Sequence, residues 1–204
     1  MSLTGFDWVI LVLVSYLIGG IPTAYLAARW LKGQDIRQLG DRNVGAANVY
    51  RNIGTKAGIV VGVVDIAKGW AAVLLVRGLV DSTAAEMIAG VAVIAGHILP
   101  VYLRLRGGRG AATAVGVLLA MLPALTIPLS LSALVVLYLT KNAIKPLGFF
   151  FICVPILAWL PYGYPSTLIA YALGIPLMVG VSHYLSTRRL SPPEPGGEPA
   201  LPQG

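Results

Sequence analysis

Apolar runs follow one another along this chain with only short polar connections between them, and most are long enough to cross a hydrocarbon layer. They fall at 8–30, 57–76, 84–103, 111–122, 125–139, 147–160 and 166–182. With 57% of its 204 residues hydrophobic and 11% charged, the chain has too little polar surface to wrap these runs in water. It reads as all-α and integral to a membrane, one polytopic domain over 1–190. Residues 191–204, rich in proline and glycine, are expected to be a disordered tail without assigned function. The N-terminus lacks the basic start of a cleaved signal peptide, so the first run is expected to remain as a membrane helix.

The charged residues decide how many times the chain crosses. Counted as seven transmembrane helices, the runs place Arg29, Lys32, Arg37, Arg42, Arg51, Lys56, Arg104, Arg106, Arg109, Lys141, Lys145, Arg188 and Arg189 on one side. The other side holds Arg77 with Asp7, Asp81 and Glu86. The positive-inside rule then puts the N-terminus outside and the C-terminus in the cytoplasm. Merging 111–122 with 125–139 would send Lys141 and Lys145 outside, so seven is preferred. The run at 111–122 reaches only about 18 Å as a helix against a hydrocarbon core of about 30 Å, and must be shielded by protein or extended by its loop.

Several function classes drop out. The net charge of +7 sits in the connections, as orientation signals do, and gives no case for nucleic acid. Cys153 is the only cysteine and His97 and His183 are separated by several runs, so a metal site is poorly supported. GGRGAAT has no preceding strand and no Gly-Lys-Ser/Thr ending, which argues against ATP, and no dinucleotide fingerprint is present. No cofactor is implied. No fixed-period repeat is visible, so the internal symmetry of many transporters is not indicated.

Chemistry is concentrated in two polar stretches on the same side. DIRQLGDRNVGAANVYR, residues 35–51, combines Gly40 and Gly45 for tight turns, Asn43 and Asn48 as amide donors and acceptors, and Arg37, Arg42 and Arg51. RLRGGRGAAT, residues 104–113, combines Gly107, Gly108 and Gly110 with Arg104, Arg106 and Arg109 at the start of an apolar run. Glycines there would let backbone N–H groups approach an anion, and arginine grips phosphate through paired donors. The bland alternative for each is a solvated, topogenic loop with flexible glycines. Asp65 and Lys68, three apart within a run, share a helix face and are expected to pair, as a structural tie or as part of a site. His97 is either a satisfied core histidine or a site residue, and His183 an interfacial anchor or the same. Gly19, Gly20 and Pro22 mark close packing or a kink in the first run.

Taken in order, GGIPTAYL (19–26), DIRQLGDRNVGAANVYRNIG (35–54), DIAKG (65–69) and GHILPVYLRLRGGRGAAT (96–113) resemble the bacterial integral membrane acyl-phosphate:glycerol-3-phosphate acyltransferases over most of the chain. The resemblance implies seven spans, a bacterial cell (inner) membrane location and an active site facing the cytoplasm. It also implies transfer of an acyl group from fatty acyl phosphate to the 1-hydroxyl of glycerol 3-phosphate, forming lysophosphatidic acid and phosphate in phospholipid synthesis. The expected substrate-binding residues are Arg37, Asn43, Gly45, Asn48, Arg51, Lys68, Gly107, Gly108, Arg109, Gly110 and Thr113, with His97, Asn43 and His183 as catalytic candidates. Arg51, Arg109 and Arg37 would hold the phosphate of glycerol 3-phosphate, and loop amides near Asn43 and Gly45 would receive the acyl phosphate.

The sequence departs from that family at specific places. Gly40-Asp41-Arg42-Asn43 stands for Gly-Ser-Gly-Asn, Ala47 for a threonine, Arg109 for a lysine, and Leu185 and Ser186 follow His183-Tyr184 where the family has Glu and Asn. Asp41 would repel an anion unless Arg42 pairs with it. The alternative reading is therefore a non-catalytic or substrate-shifted paralogue that binds or moves a phosphorylated lipid.

Overall fold

The structure, a computed structural model, describes residues 3–140, 144–159 and 163–190. The tail at 191–204 and Lys141 lie outside the described residues. Among the described residues all regular structure is helical: α1 (Gly5–Gly20), α2 (Thr23–Lys32), α3 (Ala46–Asn52), α4 (Thr55–Leu79), α5 (Thr83–Ile98), α6 (Ala111–Met121), α7 (Pro123–Thr140), α8 (Ile144–Trp159) and α9 (Ser166–Leu190). Short 3-10 turns at Ile36–Gln38 and Val101–Leu103 lead into the two polar loops. Five stretches, Gly5–Lys32, Thr55–Leu79, Thr83–Leu103, Pro123–Thr140 and Ser166–Arg188, are long and apolar enough to cross a membrane. The α6 helix and the Lys145–Trp159 portion of α8 are apolar but shorter. Exposed Val9, Leu13, Ile59, Val63, Leu131 and Leu134 give α1, α4 and α7 the apolar outer faces of a multi-pass membrane protein.

The first apolar run is two helices. Thr4 caps α1, its hydroxyl accepting from the Asp7 N–H while the Asp7 carboxylate accepts from the Thr4 N–H. Ile21, preceding Pro22, takes φ −54° and ψ 116° and leaves the helix. The chain restarts as α2 and stops at Gly33, whose φ of 66° forms a left-handed cap. Pro123 opens α7, a position that needs no N–H, and Leu122 separates it from α6. Pro128, in contrast, sits inside α7 without ending it. The Thr126 hydroxyl donates to the Leu122 carbonyl at 2.7 Å, beside the Thr126 N–H that donates to the same oxygen at 2.9 Å.

The short α6 is shielded by protein: Thr113–Leu118, Ala120 and Met121 are all buried. Its neighbours approach closely at glycines. A Cβ on Gly69 of α4 would overlap the Thr113 carbonyl, and one on Gly116 of α6 would overlap that of Ile66. Gly19 and Gly96 bring α1 and α5 together in the same way, against the Val93 and Tyr16 carbonyls. Around these contacts Val73, Ile94, Leu118, Leu122, Phe150, Val154 and Ile175 form the main core. A second, smaller core matters more for the site: Ile36, Val44, Val49 and Ile53 of the polar stretch pack on Ala24, Ala28, Val61 and Leu103. Hydrophobic burial thus anchors the first loop to α2, α4 and the second loop.

At the far end of α4 the Arg77 guanidinium donates to Glu86 of α5 at 2.6 and 3.0 Å and to the Ala120 carbonyl of α6 at 2.9 Å. One side chain thereby ties three helices. Gly116→Ala is expected to lower the thermal midpoint in detergent, overpacking of this kind costing about 1–3 kcal/mol. Gly78→Ala, also in α4 but with open space around its Cβ position, should leave the midpoint unchanged or raise it.

Candidate functional site

The break in the first run is held by a buried ionic cluster. Asp65 and Lys68 of α4 pair at 2.8 Å with side chains 1% and 5% exposed. The Lys68 ammonium donates to the carbonyl of Ile21, and the Thr23 hydroxyl donates to Asp65 at 2.6 Å. His97 on α5 places Nδ1 3.7 Å from the same Asp65 oxygen, beyond hydrogen-bond length but within electrostatic reach. Lys68, expected among the substrate-binding residues, contacts Asp65 and the Ile21 carbonyl beside the helix break.

The first loop is built on Asn48. Its Nδ2 donates to the carbonyls of Ile36, Leu39 and Asn43 at 2.9–3.2 Å, and its Oδ1 accepts from Asn52 at 2.7 Å. The side chain is completely buried. Asn48, expected among the substrate-binding residues, gathers the loop around its side chain. Gly40, at φ 53°, sits against the Asn48 and Asn52 amides where a side chain would collide. Arg37 is likewise engaged: it pairs with Asp35 at 2.6 Å and lies 5.3 Å over the Tyr25 ring. That pairing lowers the Asp35 carboxyl below its ordinary pKa and raises Arg37. No described contact brings Arg37 to the other arginines.

In the second loop the Gly107 and Gly108 N–H groups donate to the Ile98 and His97 carbonyls, closing the C-terminal end of α5. Both lack a side chain because there is no room for one. A Cβ on Gly107 would meet the His97 carbonyl and Pro100, and a Cβ on Gly108 would meet His97 Nε2 and the Val44 carbonyl. Gly110 alone uses glycine's conformational freedom, at φ 84° just before α6. Arg104 and Leu105 adopt left-handed φ of 53° and 61°, a strained turn that points the loop back toward the first.

Glycine packing at position 108 thus sets the two loops face to face, and their arginines meet. Arg51 at the end of α3 and Arg109 both reach Asp41, with N–O distances of 3.1 and 3.3 Å to the same oxygen. Arg42, whose pairing with Asp41 was the condition for an anion to approach, is exposed at φ 56° and makes no ion pair among the described residues. The local backbone turns it away while the fold supplies the distant partners. His183 of α9 lies within electrostatic reach of Arg109 and Asp41. Two buried side-chain atoms without a hydrogen-bond partner among the described residues belong to these loops, Asn43 Oδ1 and Arg109 Nε, and a third, Thr113 Oγ1, lies on α6 where Thr113 packs against Gly69. Gly45, beside the Asn43 amide, begins α3.

A cavity of about 10 Å³, room for at most one water, is lined by Gly20, Ile21, Thr23, Val44, His97 and Gly108. A wider cleft of about 410 Å³ is lined by Tyr25, Arg29, Gly33, Asp35, Gln38 and Leu39, none of them in the Asp41 cluster. Among the described residues no group of three or more His, Cys, Asp or Glu is placed to hold a metal ion. Sequence reasoning overlooked Thr23, although Ile21-Pro22-Thr23 announces a helix restart whose free groups need partners.

A multi-pass helical protein with two arginines gathered at one end of its bundle is the class that these features define. The family model for glycerol-3-phosphate acyltransferase matches residues 9–192. The chain is 40% identical to glycerol-3-phosphate acyltransferase 4 of Dehalococcoides mccartyi strain ATCC BAA-2266 over 181 residues, 87% of this chain and 96% of the relative. It is 37% identical to acyltransferase 1 of the same strain, over 87% of this chain and 88% of the relative. Among solved structures it superposes on PlsY (YgiH), an integral membrane glycerol 3-phosphate acyltransferase in its glycerol 3-phosphate form, with TM-score 0.79 and 30% identity, covering 90% and 92% of the two chains. The chain belongs to the glycerol-3-phosphate acyltransferase family.

Lys68→Met should strip Asp65 of its counter-charge and destabilise the protein by about 3–5 kcal/mol, read as a lowered thermal midpoint. The double variant Asp65→Leu/Lys68→Met should recover most of that loss, and equal losses in both would contradict the buried-pair account.

Proposed function

We propose that this chain transfers an acyl group from a fatty acyl phosphate to the 1-hydroxyl of glycerol 3-phosphate, releasing lysophosphatidic acid and phosphate. The observation that carries the reading is the meeting of Arg51 and Arg109, from loops some sixty residues apart in sequence, on one anionic group. Two guanidiniums that share a carboxylate can share a phosphate, and that is the demand glycerol 3-phosphate makes. The PlsY structures in glycerol 3-phosphate and lysophosphatidic acid forms support it by similarity.

Acyl phosphate is an activated mixed anhydride. The hydroxyl oxygen bonds to the carbonyl carbon as the bond from that carbon to the bridging phosphate oxygen breaks, and the phosphate leaves with that electron pair and takes up the hydroxyl proton. Holding the hydroxyl against the carbonyl and neutralising two phosphates supply much of the acceleration, so no strong protein base is demanded. Arg51 and Arg109 hold the glycerol 3-phosphate. Asn43, through its Nδ2 amide, and the loop amides beside Gly45 face the acyl phosphate, while the unpartnered Asn43 Oδ1 is left to accept from a hydroxyl. Asn48, Lys68, Gly107 and Gly108 shape the site, His97 sits beneath it, and the acyl chain lies between helices that open to lipid. The short apolar α6 and α8 complete seven spans, with the N-terminus outside and the loops in the cytoplasm of a bacterial cell. The repulsion by Asp41 that favoured the non-catalytic alternative is offset by its two arginine partners.

Purified protein incubated with palmitoyl phosphate and glycerol 3-phosphate should release phosphate and form lysophosphatidic acid together. Absence of turnover over background would refute the reading for this substrate pair. Arg109→Ala should raise KM for glycerol 3-phosphate at least tenfold, roughly the 1.5–3 kcal/mol of a charge-assisted contact.

A further inference from the structure

The reaction uses Arg51 and Arg109 but gives no part to Asp41, the carboxylate that both arginines face. We propose that Asp41 is a built-in counter-anion of the phosphate site, a specificity-determining residue that substrate must displace. This rests on the transferase reading of Arg51 and Arg109 and deepens it.

A single Asp41 oxygen, Oδ2, accepts from Arg51 at 3.1 Å and lies 3.3 Å from an Arg109 terminal nitrogen. The other oxygen accepts from the Asn43 N–H at 3.4 Å, so the carboxylate is oriented by its own loop and not merely near the arginines. Its side chain is one-third exposed, and the Arg109 side chain is only 18% exposed with a buried Nε that has no partner among the described residues. A carboxylate therefore occupies the guanidinium faces that a phosphate needs, yet leaves one Arg109 donor unsatisfied. Asp41 has one oxygen tied to its own loop and the other shared by both arginines, whereas a phosphate monoester dianion brings three terminal oxygens to both arginines and that donor.

The consequence is selectivity. A weakly charged anion gains little by replacing Asp41, while a phosphate dianion gains charge and contacts. Asp41 also holds Arg51 and Arg109 together when the site is empty, at the cost of competing with substrate.

The test is kinetics and calorimetry on the full chain in detergent, with Asp41→Asn, Asp41→Ser and Asp41→Glu. In Asp41→Asn and Asp41→Ser, KM and the dissociation constant for glycerol 3-phosphate should both fall about three- to tenfold, the size of one or two partly exposed ion pairs. The KM for palmitoyl phosphate and kcat should move less. Inorganic phosphate and sulfate should inhibit the two neutral variants more strongly than the parent, and Asp41→Glu should restore the parental constants. Unchanged or weakened glycerol 3-phosphate binding in both neutral variants would overturn the proposal, as would binding in which Glu behaves like Asn. Tighter binding without turnover in any form would uphold Asp41 as counter-anion while refuting the transferase reading. Failure of the parent and both neutral variants to bind glycerol 3-phosphate would refute both.

Discussion

The buried pair of Asp65 and Lys68 is the interaction on which the rest of the arrangement depends. A chain that interrupts a membrane helix must find partners for the carbonyls and N–H groups it sets free, because lipid offers none. Lys68 takes the Ile21 carbonyl, Asp65 takes the Thr23 hydroxyl, and each ion neutralises the other. Such a pair adds little to stability compared with apolar residues of similar size, since desolvation of two charges consumes most of their attraction. What it provides is position. It fixes where α1 ends and α2 begins, and it sets His97 beneath the second loop.

Close approach does the remaining work. Glycines let α4 meet α6 and α1 meet α5 at backbone distance, and the same logic continues into the loops, where Gly108 admits the Val44 carbonyl and the His97 ring to the same spot. Asn48 then replaces a regular element for the first loop, gathering three carbonyls with one amide. The loops that bear charge are thus rigid by construction, with an apolar underside of Ile36, Val44 and Val49 and a polar upper side of Asn43, Arg51 and Arg109. Rigid donors are what an anion site requires, since reorganisation on binding would consume affinity.

Much of the fold was legible in sequence because membrane helices announce themselves by hydropathy over long windows. Every expected run contains a helix, and the run at 111–122 was recognised as short enough to need shielding, which its near-complete burial provides. The pairing of Asp65 with Lys68 followed from helix periodicity. Local reasoning reached its limit in the loops. It read the atoms of Asn48, Gly107 and Gly108 as suited to anions, and could not see the backbone groups that only the folded chain brings to them. It looked for the partner of Asp41 at Arg42, next in sequence, and the fold supplies Arg51 and Arg109. The contact between Asp41 and Arg109, some seventy residues apart, carries no periodic signature in a single sequence, and the shorter loop contacts follow no helical period either.

The central claim is that Arg51 and Arg109 form one phosphate site and not two independent surface charges. It is tested most directly by calorimetric titration of glycerol 3-phosphate into the parent, Arg51→Gln, Arg109→Gln and the double variant, closed as a thermodynamic cycle. A shared site predicts a coupling free energy of at least about 1 kcal/mol between the two substitutions. Strict additivity would contradict it, and so would unchanged binding in the double variant.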